Sequence, residues 1–101
     1  MNFFKALFGN STDVDIKALL DEGAQIVDVR SKQEFESGHA KGSINIPLVA
    51  LPNFMNKLKG KDHPIILVCA SGMRASQAKG QLEREGYQKV YNAGNWQNAN
   101  A

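Results

Sequence analysis

The run Ile65-Ile66-Leu67-Val68 places four apolar residues in a row and delivers them to a cysteine, Cys69. A strand without polar alternation has no face to offer water, so it belongs inside a sheet covered on both sides. The rest of the chain supplies matching parts. Gln25 to Val29 is a second short β-branched run, Ser43 to Ile46 a brief strand ended by Pro47, and Val90-Tyr91 a last strand. Helical signals fall between and around them. Thr12-Asp13-Val14-Asp15 reads as a capping box, followed by Val14, Ile16, Leu19 and Leu20 at helical spacing and stopped at Gly23. Ser31-Lys32-Gln33-Glu34 is a second capping box, opening a short helix that Gly38 stops. Leu51 to Leu58 is expected as a helix with Pro52 in its first turn, and about Ala75 to Glu85 as another, stopped by Gly86. Strands alternating with helices predict an α/β domain with a central, mainly parallel sheet, and ligands beyond the carboxyl ends of its strands.

At 101 residues the chain has room for one domain, and 43% hydrophobic against 22% charged residues suits a packed core rather than disorder. A net charge of +2, with no basic stretch denser than Lys57-Leu58-Lys59-Gly60-Lys61, gives nucleic acid little to hold. Lys5 and Gly9 interrupt the Phe-rich start too early for a secretory signal, and no run approaches the ~18 apolar residues of a membrane span. A cytoplasmic protein is expected, with residues 1–11 as a terminal helix laying its phenylalanines on the domain. Residues 12–98 form that domain, and the polar end from Gln97, including residues 99–101, is expected to fray. One cysteine allows no internal disulfide and no cysteine-based zinc site, and His39 and His63, far apart and without companions, suggest no metal.

The chemistry converges on Cys69-Ala70-Ser71-Gly72-Met73-Arg74. A buried strand brings a thiol to the sheet edge, and a helix starts a few residues later. Backbone N–H groups of Ala70 to Arg74 can then face the sulfur, and the helix N-terminus adds partial positive charge. Both favour a nucleophilic thiolate. Gly72 permits a tight turn with positive φ. Arg74 offers a planar fork for an oxyanion, and Ser71 a hydroxyl. A cysteine after four apolar residues is ordinarily an inert core residue. The glycine, the arginine and the following helix are features that an inert residue does not require.

These segments resemble the rhodanese family of single-domain sulfurtransferases. The likeness runs from about Val14 to Trp96. It includes Ile26-Val27-Asp28-Val29-Arg30, Glu34 to Pro47 with Gly38-His39, Val68 to Ser76, Gly86-Tyr87 and Ala93-Gly94-Asn95-Trp96. The resemblance implies a rhodanese-like three-layer α/β domain and a Cys69 persulfide, formed from a donor such as thiosulfate and passed to cyanide or a thiol. It implies no cofactor. Four residues separate Cys69 from Arg74, as in sulfur-transferring members, whereas related phosphatases and arsenate reductases use a longer loop. Ala70 and Met73 are neutral where some thiosulfate users carry basic side chains, which leaves a small-molecule or thiol-bearing protein persulfide as an alternative donor. A persulfide carrier dependent on a protein partner is the rival to a stand-alone enzyme, and a phosphatase-like enzyme the lesser one.

The same resemblance makes Asp28, Arg30 and His39 supporting residues. Asp28 and Arg30 are expected in a structural ion pair near the sheet edge, with the Glu34, Glu36 and His39 region as partners. An activated thiolate needs no general base from His39. His63, before Pro64 in a charged turn, is expected in solvent, and Trp96 over the core.

Overall fold

The computed structural model describes residues 15–100. Its first helix, α1 (Ile16–Asp21), is capped by Asp15, whose carboxylate accepts from the Ala18 N–H at 3.0 Å. The cap is therefore Asp15 itself. Thr12, Val14 and the expected N-terminal helix lie outside the described residues. At the other end of α1, Ala24 and Gly23 donate to the carbonyls of Leu19 and Leu20, closing a Schellman motif.

Four strands follow: β1 (Gln25–Asp28), β2 (Ile44–Asn45), β3 (Ile65–Cys69) and β4 (Val90–Asn95). They form one sheet in the order β2-β1-β3-β4, every pair parallel. Parallel neighbours need crossovers, which here contain α2 (Lys32–Glu36) between β1 and β2 and α3 (Met73–Arg84) between β3 and β4. The central strand β3 is buried at all five positions. Its alternating side chains serve two cores. Ile65, Leu67 and Cys69 pack with Val27, Val29, Leu51, Ala75, Ala78 and Leu82 beneath α3. Ile66 and Val68 pack on the opposite face with Leu19, Ile26, Ala93 and Ala99. This is the three-layer α/β arrangement, with an all-parallel sheet.

Several local expectations are corrected. In place of a helix over 51–58 there are two 3₁₀ turns, Leu48–Asn53 and Met55–Lys57. Pro52 has no N–H to give and restricts Leu51 before it. The segment closes instead through three-residue steps, Phe54 N–H to Leu51 and Lys57 N–H to Phe54. Helix α3 begins at Met73 rather than Ala75, with Gly72 as N-cap at φ 98°. Strand β4 continues past Tyr91 to Asn95. Leu67 faces Asn92 while Cys69 faces Asn95, so β4 carries one extra residue there, a bulge at Ala93-Gly94. The chain end does not fray through residues 97–100. Trp96–Ala99 is a 3₁₀ turn, Ala99 is buried, Asn98 Nδ2 donates to the Ala93 carbonyl at 2.8 Å, and Asn100 Oδ1 accepts from the Lys41 N–H at 3.3 Å.

Candidate active site

Cys69 is the last residue of β3, at the carboxyl edge of the sheet. Its Sγ receives the Gly72 N–H at 3.0 Å and the Ala75 N–H at 3.4 Å. The first donor is the N-cap of α3 and the second lies in its first turn, so the helix start is wrapped onto the sulfur. N–H groups aimed at sulfur are the partners that a thiolate or persulfide anion requires. Ala75 was not among the loop donors expected from sequence, because its N–H reaches Sγ only once the helix starts at Met73. Cys69 is fully buried at 0% exposure, not at an exposed strand end. Its side chain points to the α3 face, and the first turn of α3 closes over it. Around it Ala70, Ser71 and Met73 are exposed, with Met73 at 74%.

Two asparagines of β4, not singled out in the sequence, hold the loop. Asn92 Nδ2 donates to the Gly72 carbonyl at 2.9 Å while its Oδ1 accepts from the Gly94 N–H at 2.8 Å. Asn95 Nδ2 donates to the Ala70 carbonyl at 2.8 Å. In a trans peptide the N–H opposes the carbonyl. Pinning these two carbonyls to β4 therefore turns the Ser71 and Met73 N–H groups away from those asparagines. Gly72 also comes so near the bulge that a Cβ there would lie 3.4 Å from the Gly94 Cα. The available signal was polar residues at a strand's carboxyl end around an Ala-Gly step.

Arg74 does not stand free at the loop. Its Nη1 and Nη2 donate to Glu34 Oε1 and Oε2 at 2.7 and 3.1 Å, across from α2. Glu34 also closes the second capping box, accepting from the Ser31 N–H at 3.0 Å while the Ser31 hydroxyl accepts from the Glu34 N–H at 3.2 Å. The Arg74 guanidinium first, then the Ser31 N–H, lowers the Glu34 carboxyl from 4.5 to about 2. Arg74 is correspondingly raised, chiefly by its hydrogen bonds to Glu34, with smaller contributions from Cys69 and Asp28.

Asp28 and Arg30 pair with each other rather than with Glu34, Glu36 or His39. Arg30 Nε donates to both Asp28 oxygens at 3.0 Å and Nη2 to Oδ2 at 2.7 Å. Nη2 also donates to the Gly38 carbonyl at 2.6 Å, and the guanidinium lies 5.0 Å from the Trp96 ring centroid. Asp28 stands beside Val68, whose side chain serves the face opposite Cys69. The pair braces the sheet edge from behind, and Asn45 Nδ2 ties it to β2 by donating to the Asp28 and Arg30 carbonyls at 2.9 Å. His39 is exposed, with its ring 3.7 Å from that of Phe35 and its Nδ1–H donating to the Phe35 carbonyl at 2.7 Å. His63 is half-buried rather than in solvent, and its Nε2–H donates to the Gly23 carbonyl at 2.7 Å. Among the described residues no group of three or more His, Cys, Asp or Glu is placed to hold a metal, and no helix is long and apolar enough to cross a membrane.

Comparison with known proteins gives the same architecture. The chain is similar to the putative sulfur carrier protein YrkF of Bacillus subtilis, 36% identical over 72 residues, which cover 71% of this chain and 38% of the relative. It is similar to the thiosulfate sulfurtransferase GlpE of Stutzerimonas stutzeri, 35% identical over 74 residues, covering 73% and 67%. Across such relatives the chain spans between 24% and 67% of their length. A solved rhodanese with anions from E. coli superposes with a TM-score of 0.69 at 30% identity, covering 74% of this chain and 89% of that one. The family model for the rhodanese-like domain matches residues 12–97, and the chain belongs to the rhodanese family.

Proposed function

We propose that this domain transfers sulfane sulfur through a persulfide on Cys69. The Sγ thiolate attacks the outer sulfur of a donor such as thiosulfate. The donor's S–S bond breaks, and sulfite leaves with the bonding pair. Cys69 then carries a persulfide anion. A thiolate or cyanide attacks its outer sulfur, the new S–S or S–C bond forms, and the Cys69 thiolate is regenerated. No net proton or external oxidant enters. The observation that carries this reading is the pair of N–H donors from Gly72 and Ala75 on Sγ at the start of α3. The backbone of Ala70 to Arg74 forms the rest of the cradle in this proposal, and Ser71 faces the donor. Cys69 is 0% exposed, so the loop wrapped around the sulfur sets how closely a donor approaches it. A reducing cytoplasm keeps such a thiol ready for the next cycle.

The buried sulfur and the neutral loop also favour a second reading, a carrier loaded by a partner's persulfide, for which the carrier name of YrkF is a parallel. Intact mass tests both. After incubation with excess thiosulfate or benzenethiosulfonate, wild type gains about 32 Da, one sulfur atom, and loses it to cyanide. Cys69→Ser, nearly isosteric, folds and gains nothing. Loading only by a protein persulfide selects the carrier. Sulfur on the Cys69→Ser variant overturns the persulfide mechanism.

A further inference from the structure

Arg74 is the only charged side chain between Ala70 and Arg74, and both its terminal nitrogens are held by a carboxylate from another helix. A guanidinium whose two terminal nitrogens hold a carboxylate has its end-on fork taken and keeps only its Nε edge for a sulfonate. The negative charge of Glu34 also cancels the attraction Arg74 would exert on an anion at the loop. The remaining side chains there are an alanine, a serine and a methionine that is 74% exposed. They offer an apolar surface to an organic group and no cation to an inorganic one.

We infer that Glu34 is a specificity-determining residue: by occupying Arg74 it disfavours doubly charged inorganic donors and selects singly charged donors with an organic body, the class of organic persulfides and thiosulfonates. The inference rests on the persulfide reading above and narrows its substrate. Glu34 acts through Arg74, as a positioning residue, and touches no reacting atom.

The pair can be broken without breaking the helix. A capping box accepts Gln in place of Glu, so Glu34→Gln keeps an oxygen for the Ser31 N–H while removing the charge. The probes are thiosulfate, a dianion, and benzenethiosulfonate, a monoanion that transfers the same outer sulfur and leaves as the sulfinate. Coulomb energy scales with the donor's charge. Removing the carboxylate therefore raises kcat/KM roughly tenfold for thiosulfate but roughly threefold for benzenethiosulfonate. The gain lies in KM and fades at high salt. Arg74→Met on the same background erases it. Wild type gives a second test that needs no variant: its kcat/KM for thiosulfate is nearly independent of ionic strength, since the paired charges cancel.

Equal changes for the two donors in Glu34→Gln, or a steep fall of wild-type thiosulfate turnover with salt, would overturn the inference. Either result leaves the persulfide reading standing provided Cys69 gains sulfur. If neither donor nor a protein persulfide loads Cys69, the persulfide reading fails first and this inference falls with it.

Discussion

Arg30–Asp28 and Arg74–Glu34 are chemically the same ion pair, each closed at a shortest N···O distance of 2.7 Å, near the same edge of the sheet. They differ in surroundings. The first has side chains 6% and 0% exposed, while both members of the second are 38% exposed. Asp28 and Arg30 are two residues apart, Nη2 of Arg30 also donates to the Gly38 carbonyl, and the guanidinium carbon lies over the Trp96 ring. Arg74 and Glu34 are forty residues apart and meet only because α3 and α2 approach at the mouth of the loop. A buried pair is fully satisfied and costly to break, whereas an exposed pair adds little stability and is free to serve recognition. The same chemistry thus acts as a brace on one side of the sheet and as a charge setting on the other.

The largest effect should come from the buried pair. Asp28→Ala strands the Arg30 charge in a dry site and should cost about 3–5 kcal/mol, read as a lowered urea midpoint. A loss no larger than that of a surface substitution would remove the contrast. Arg74→Met should shift that midpoint only slightly, because solvent already screens both partners. A loss comparable to that of Asp28→Ala would make the exposed pair structural too.

The smallest effect is the pH dependence of the exposed pair. Glu34 is lowered in the folded state, from 4.5 to about 2, so its contribution is complete above pH 4.5 and disappears as pH falls through about 2. The difference between wild type and Arg74→Met should accordingly be flat from neutral pH to about 5 and shrink below it. Carboxyl chemical shifts should show Glu34 titrating below the usual carboxylate range in wild type and closer to that range in Arg74→Met, by less than a buried pair would show because solvent screens both partners. An unmoved midpoint would place the cause in the capping box instead, since the Ser31 N–H also lowers Glu34.

Much of the site was legible before the fold. The apolar run 65–68 required burial on both faces, the cysteine after it had to emerge at the carboxyl edge, and the glycine two residues before Arg74 marked a tight turn. Ser31 and Glu34 announced their capping box because both partners lie within one helical turn. What escaped was assembled over distance. The Asn92 and Asn95 clamps depend on a bulge whose extra residue exists only relative to β3. The start of α3 was misplaced because Gly72 caps it without a side-chain hydrogen bond and reads in the sequence as a turn, and the helix begins there by wrapping onto Cys69.

The sequence by itself determined the class of fold and the place of the thiol, since periodicity, turn residues and short-range caps act between neighbours along the chain. Only the tertiary structure decided which carboxylate each arginine holds, how deeply Cys69 lies and which N–H groups reach it. Those depend on strand register and helix approach, and the free energy of a charge or a hydrogen bond is set by what surrounds it in space.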